Sequence, residues 1–484
     1  MINVKAISTN VGKALLVSAL FMLISLLISI YEGMDSAFTP LLISLIITTI
    51  VGAFPFIFVR TAQTLSMKDG FLTIILAWLL SFVFGMLPYV LWGGEFTIIN
   101  AWFESVSGYT TTGSTILNNV EALPKSLLFW RSSTHYIGGL GVIVFLLMVM
   151  PSASPYRLKL TNMELSSLSK EGYRYNSSKV VRVITTVYIG LTLSTCLALW
   201  AAGMSFFDAI NHAFSIAATG GFSTRNLSIG YFQSDLINFI AMIFMTVSAM
   251  HFGLIYAVFV TRSFKPMKNP VVVFYLSSIV VMSLVVAVNL MTEGGYTSWG
   301  KAMLDSSFNI VSYMTTTGFA ICDNSTWPVL AGIVLMLAAV QCGCSGSTTG
   351  GLKVDRVLIV FKAFGNELRR RLHPSSVSQV KMGGHYLPDN VVSSVFMYIV
   401  MYIVVIFISV LAVMICGSDP LEAVSGVISS VGSVGPGLGD VASLDNYSAQ
   451  PVLSKFIFTF DMFLGRMEIF PILIVISLMF KRSK

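Results

Sequence analysis

The chain has 484 residues, 55% of them hydrophobic and 11% charged, with a mean hydropathy of +0.82. Soluble domains carry roughly 25% charged residues, so this composition excludes a water-soluble globule. The net charge of +7 sits in short basic loops between apolar runs, the usual imprint of membrane topology and not of a nucleic-acid surface.

A span needs about 20 apolar residues. In chain order the candidates are 12–30, 41–59, 71–92, 127–150, 181–201, 236–260, 271–290, 329–361 (interrupted), 391–415 and 456–480, which makes ten. The first apolar run has no small-residue cleavage site after it and is read as retained, not as a signal peptide. With both termini in the cytoplasm and four glycine loops re-entrant, 23 of the 29 Lys and Arg residues fall inside. Letting a loop cross destroys that asymmetry. Cys196, Cys322, Cys342, Cys344 and Cys416 indicate no disulfide framework. Cys342-x-Cys344 has no further Cys or His nearby to complete a metal site.

The four loops are Tyr109-Thr-Thr-Thr-Gly-Ser114, Ala218-Thr-Gly-Gly-Phe-Ser223, Met314-Thr-Thr-Thr-Gly-Phe319 and Ser433-Val-Gly-Pro-Gly437. Each follows a segment too short to cross a bilayer and precedes one intended to cross it. The spacing predicts an all-α membrane protein: four fused span–pore helix–span repeats around a central pore, plus two N-terminal transmembrane helices. The expected division is 1–69 for the N-terminal pair, 70–151 for the first repeat, 152–179 for a cytoplasmic linker and 180–262 for the second repeat. The third repeat takes 263–361, a basic linker 362–390, and the fourth repeat 391–484. Asn100, Asp208 and Asp305 each stand 13 residues before a loop glycine and are read as N-caps of short helices aimed at it. The fourth copy fits less closely. Thirteen residues past Asp419 is Gly432, whereas Gly435 begins Gly-Pro-Gly and is favoured as the equivalent position.

Irregular backbone at membrane depth survives only where it is buried or lines a water-filled cavity. Glycines serving close helix packing or simple turns are the plainer alternative, but four at matched positions favour a pore. Backbone carbonyls replace a cation's hydration shell without burying fixed charge, glycine lets the backbone turn them inward, and threonine adds a hydroxyl. The expected cation ring is Thr111, Thr112, Gly113, Thr219, Gly220, Gly221, Thr316, Thr317, Gly318, Val434 and Gly435.

The eighth span breaks at Gln341-Cys-Gly-Cys-Ser-Gly-Ser-Thr-Thr-Gly-Gly351. Gly346-x₄-Gly351 is followed by Leu352 and not by the Lys-Ser/Thr of a phosphate loop, so no nucleotide is expected on this chain. An intramembrane gating loop at about 342–351, containing Gly343, Gly346, Gly350 and Gly351, is the favoured account of the run, with a simple packing kink as the alternative. Arg466 lies within the last span, where a charge normally faces a cavity or a partner. It either pairs with Asp461 or Glu468, or projects toward the pore and opposes cation passage. His135, His212 and His251 read as polar packing residues. No nucleophile–base–acid set is present, so no enzyme activity is expected.

Gly108-Tyr-Thr-Thr-Thr-Gly113, Gly220-Gly-Phe-Ser-Thr224, Gly435-Pro-Gly-Leu-Gly439 and Gly465-Arg-Met-Glu-Ile469 carry a resemblance to the bacterial Trk/Ktr-type potassium uptake family over essentially the whole chain. The resemblance implies potassium as the bound and transported ion, with rubidium as a stand-in and some sodium. It also implies a gate at the intramembrane loop with Arg466, a homodimer in the bacterial inner membrane, and a cytosolic nucleotide-binding regulatory subunit of the TrkA type. No loop carries the full Thr-Val-Gly-Tyr-Gly of tetrameric potassium channels. An alternating-access transporter, coupled to protons or sodium as a symporter, is the main alternative. A receptor or scaffold without transport leaves the loops unexplained.

Overall fold

The computed structural model describes residues 3–59, 67–153, 177–374, 379–383 and 385–480. Most of the expected linker 152–179 lies outside them, as do Arg60 and the terminal Lys481, Arg482 and Lys484. Helices α1 (Val4–Tyr31) and α2 (Phe38–Phe58) form an N-terminal pair. Next come α3 (Met67–Gly85), α4 (Leu87–Trp92), the short α5 (Ile98–Tyr109) and, past the first glycine loop, α6 (Lys125–Ala153). The order long helix, short helix, loop, inner helix then recurs three times. It runs α7 (Ser177–Ala201), α8 (Phe206–Ala218), α9 (Asp235–Ser248) and α10 (Phe252–Thr261), then α11 (Pro270–Thr292), α12 (Trp299–Met314), α13 (Val329–Gln341) and α14 (Val354–Leu372). Last come α15 (Asp389–Ile415), α16 (Pro420–Gly432), α17 (Val452–Arg466) and α18 (Phe470–Phe480). Strand pairing among the described residues is confined to Lys381–Tyr386 and Met382–His385.

This is an all-α membrane architecture. Val4–Tyr31, Phe38–Phe58, Lys68–Trp92, Val181–Ala201, Pro270–Thr292 and Asp389–Ile415 are each long and apolar enough to cross. On α15, Phe396, Val400, Ile403, Phe407 and Leu411 recur at helical spacing and are exposed, while Val395, Tyr398, Tyr402 and Val413 are buried. One face therefore meets lipid and the other protein. The short helices differ, with the C-terminal turns of α5, α8, α12 and α16 buried all round, which places them at the centre.

Three inner spans are broken, where the sequence anticipates one. Besides the glycine-rich break between α13 and α14, α9 and α10 meet at 100°. There the His251 ring accepts the Gly253 N–H at 3.0 Å and caps α10. The span expected at 456–480 is interrupted between α17 and α18, where Glu468 (φ +55°) and Ile469 (φ +52°) are both left-handed. Only α6, in the first copy, runs through without a break.

The N-terminal pair is packed into the body rather than appended to it. A methyl on Gly12 would come 2.5 Å from the Gly52 carbonyl, so α1 and α2 cross in backbone contact, as small residues permit. The Tyr109 hydroxyl, at the end of α5, lies 2.9 Å from Ser18 Oγ on α1.

Candidate functional site

Three of the four short helices start on a side-chain cap, and three starts are not those expected. Thr97 Oγ1 accepts the Asn100 N–H at 3.3 Å and Ser205 Oγ the Asp208 N–H at 3.0 Å. Asn100 and Asp208 are thus third helical residues, and the Ser205–Asp208 pair resembles a capping box. Helix α12 starts after Ser298, which leaves Asp305 inside it. Asp419 alone caps its own helix, accepting the Leu421 N–H at 3.2 Å. Measured from the true caps, Thr97, Ser205 and Asp419 stand 16 residues ahead of Gly113, Gly221 and Gly435. The apparent misfit of the fourth copy came from comparing residues inside the first three helices with a cap in the fourth.

The four helices end identically. Thr111, Thr219, Thr316 and Ser433 are left-handed, with φ of 54°, 54°, 54° and 55°. Their N–H groups bond the carbonyls of Gly108, Ile216, Tyr313 and Ser430, each at 3.1 Å. The next residues, Thr112, Gly220, Thr317 and Val434, donate to Ser107, Ser215, Ser312 and Ser429 at 2.8 to 3.0 Å. This double bond pattern is the Schellman motif. The residue after that is again left-handed, with φ of 85° at Gly113 and Gly221, 77° at Gly318 and 107° at Gly435. Serine occupies the accepting position in all four copies.

The loops close on one another. A methyl on Gly113 would strike the Gly220 carbonyl, one on Gly221 that of Thr317, and one on Gly318 that of Val434. One on Gly435 would come 2.6 Å from the Thr112 carbonyl. The ring therefore runs through copies one, two, three and four and back to one. It brings together all eleven residues expected from sequence, and the short helices aim the negative ends of their dipoles at it. On one side a cavity of about 100 Å³ is lined by Gly113, Gly221, Gly318, Gly435, Arg131 and Asp445 among others. Toward the other side, the buried hydroxyls of Thr111 and Ser433 have no partner among the described protein atoms. Buried polar groups are costly unless paired, so these fit a site completed by an ion or water.

Beneath the ring lies the break between α13 and α14. The Gly350 N–H is 3.4 Å from Thr316 Oγ1, Thr348 Oγ1 donates to the Ala217 carbonyl at 3.2 Å, and Thr219 Oγ1 is 3.3 Å from Thr348 Oγ1. Two backbone bonds tie this segment to the α9–α10 break: Cys344 N–H to Ala249 O at 2.9 Å and Phe252 N–H to Gly346 O at 3.2 Å. Arg466 is 3% exposed. Its guanidinium donates to the Thr348 carbonyl, and to the Gly138 carbonyl at 3.3 Å. Neither expected carboxylate pairs with it. Glu468 binds Arg356 at 2.7 Å and Asp461 accepts from Ser409 at 2.7 Å, which removes the structural-bridge alternative for Arg466. Gly343, Gly346, Gly350, Gly351 and Arg466 do converge.

A profile of the TrkH family, described as "Cation transport protein", matches residues 39–484. The chain belongs to this family. It is 35% identical over 431 residues to the Trk system potassium uptake protein TrkH of Salmonella typhimurium, covering 88% of each chain. It is 33% identical over 490 residues to the TrkH of Halomonas elongata, covering 99% of this chain and 100% of that one. The crystal structure of the potassium transporter TrkH from Vibrio parahaemolyticus superimposes with a TM-score of 0.88 at 32% identity, covering 98% of both chains. TrkH-family proteins are transporters and not enzymes, and the apolar helices make this chain a multi-pass membrane protein.

Three further residues build this TrkH-family ring: His135, read from the sequence as a polar packing residue, and Glu104 and Arg131, which sequence reasoning missed. His135 on α6 joins two loops, with Nδ1 2.7 Å from the Gly108 carbonyl and Nε2 3.1 Å from the Phe222 N–H. A carbonyl only accepts and an amide only donates, so the imidazole carries its proton on Nδ1. Glu104 and Arg131 form a buried ion pair at 2.7 Å. Charges in apolar segments were the available signal for this pair.

Proposed function

We propose that this chain carries potassium into a bacterial cell across the inner membrane. Carbonyl oxygens of Thr111, Thr112, Gly113, Thr219, Gly220, Gly221, Thr316, Thr317, Gly318, Val434 and Gly435 replace the ion's hydration shell. The observation that carries this reading is the closed ring of four junctions with one backbone conformation and one hydrogen-bond pattern. The names of the relatives, which are potassium uptake proteins, supply the ion.

The segment Gly343–Gly351 is the gate. It stands beneath the ring against three of the four copies, and Arg466 holds it through the Thr348 carbonyl while placing a positive charge on the route of a cation. The distribution of Lys and Arg supports cytoplasmic termini. Family resemblance adds a homodimer and a cytosolic nucleotide-binding subunit of the TrkA type that works the gate.

The test is rubidium-86 uptake into potassium-loaded liposomes containing only this purified protein, with no proton or sodium gradient. Uptake that external potassium competes away is the expected result. Uptake that requires an imposed proton or sodium gradient would favour the coupled alternating-access alternative. Folded protein that stays silent even with its regulatory subunit added would sink the reading.

A further inference from the structure

Each short helix ties down the chain that climbs away from its ring glycine, and the four ties differ. Nine residues before the glycines stand Glu104, His212, Asn309 and Gly426. Glu104 accepts from Thr115 Oγ1 at 3.0 Å and from the Ile116 N–H at 3.1 Å. His212 Nε2 lies 3.0 Å from Ser223 Oγ, and Asn309 Nδ2 3.4 Å from Cys322 Sγ. In the fourth copy glycine occupies the position, and the adjacent Ser425 Oγ accepts the Leu438 N–H at 2.9 Å.

The second copy has a charged tie as well, Asp208 of α8 to Arg225 at 3.2 Å, but Arg225 is 30% exposed there, whereas the charged tie of the first copy is wholly buried. Arg131 of α6 meets Glu104 at 2.7 Å, with 2% of one side chain and none of the other exposed. Arg131 also donates to the Ser223 carbonyl at 3.2 Å and lies 3.9 Å over the Phe222 ring, both in the second loop. One buried pair thus fastens the first loop to the second. The other junctions are closed by neutral bonds: Gly230 N–H to Ala320 O at 3.1 Å, Tyr313 Oη to Gly437 O at 3.1 Å, and Ser114 Oγ to Gly435 O at 2.9 Å. Charge-assisted, multidentate bonds are shorter and more directional than neutral ones. A carbonyl ring that contracts freely would suit the smaller sodium ion as well as potassium.

We propose that Glu104 and Arg131 are positioning residues that set the ring's discrimination between potassium and sodium, by fixing the junction of the first and second loops. The proposal rests on the reading of the ring as an ion filter. Neither side chain acts as an ion ligand here; both act through the loop backbone.

The test measures rubidium and sodium uptake side by side in liposomes. The Glu104→Gln/Arg131→Met double variant removes both charges and so leaves none buried and unpaired. It should still take up rubidium, with a rubidium-to-sodium ratio lowered about tenfold, which corresponds to about 1.4 kcal/mol. Asn309→Ala, the matched change in the third copy, should lower the ratio by no more than about threefold, as for one neutral hydrogen bond. A double variant with the unmodified ratio overturns the clamp, and so does an equal drop in Asn309→Ala. Should the double variant not fold, Arg131→Lys keeps the charge but loses the forked reach to Ser223. An intermediate ratio supports the clamp and an unmodified ratio overturns it. Absence of potassium-competed uptake in the unmodified protein overturns the filter reading and the clamp with it, whereas normal uptake at unchanged selectivity overturns the clamp alone.

Discussion

Threonine is a poor residue for left-handed backbone, because its branched Cβ crowds the neighbouring carbonyl. Yet it stands there at positions 111, 219 and 316, with serine at 433. Glycine at any of them would relieve about 1 kcal/mol, so the hydroxyl must do something glycine cannot. Thr111→Gly should raise the midpoint of thermal unfolding in detergent and at the same time lower rubidium uptake. A variant that gains stability at unchanged uptake would deny the hydroxyl a role. The ring glycines have the opposite constraint. At Gly113 a methyl meets both an unfavourable φ of 85° and the Gly220 carbonyl. Gly113→Ala should therefore cut rubidium uptake about tenfold or more in folded protein, or about 1.4 kcal/mol of lost ion stabilisation. Uptake at the unmodified level would mean the ring is not the ion's route.

At the scale of the helix, the proposed gate is a joint between broken spans. The Gly343–Gly351 break is bonded to the α9–α10 break on one side. On the other, Arg356 of α14 holds Glu468, one of the two left-handed residues between α17 and α18. Gly346 has φ +79°, and a methyl there would come 2.5 Å from the His251 ring. Gly346→Ala should dislodge the loop and raise uptake measured without the regulatory subunit. Arg466→Ala should also raise it, by removing both the tether to Thr348 and the charge. Unchanged or abolished flux in folded Arg466→Ala protein would count against the gate.

The glycine run at 342–351 announced its break in the sequence because a helix interior tolerates glycine badly. The break between α9 and α10 carries no such mark. Ser248-Ala-Met-His251 contains neither glycine nor proline, and the bend there depends on a histidine cap and on bonds to a segment about a hundred residues away. Glu468 and Ile469 look helical by composition, but Gly465 before them and Pro471 after them were a breaker signal that went unread. The ring residues were legible from small-residue loops recurring roughly every hundred residues. The caps were misplaced because Asn and Asp also stand inside helices, third in the case of Asn100 and Asp208 and mid-helix in that of Asp305, and sequence alone does not separate these positions from a cap. Glu104 and Arg131 went unread, since their pairing spans 27 positions and crosses a loop.

For the whole molecule, the outer cavity adds an electrostatic approach to the ring. Asp445 lines it, and burial, followed by repulsion from Asp323 and Asp440, holds its carboxyl above the usual aspartate range. The group is negative above its pKa, so acidification neutralises it at a higher pH than an ordinary aspartate. Cation concentration at the mouth should fall with it. Uptake from limiting potassium should therefore decline as external pH drops toward that range. Asp445→Asn should lower uptake at neutral pH and flatten the decline, and added salt should mute both effects. An identical pH profile in Asp445→Asn would exclude this carboxylate.

The unbroken α6 gives the pathway one stiff wall facing three jointed ones. Motion about those joints is then eccentric: the passage widens away from α6 and its axis shifts sideways, unlike the iris of a four-fold symmetric channel. Distance probes between α6 and the opposite wall would record nearly the whole displacement. Probes between α6 and its own short helix would record almost none.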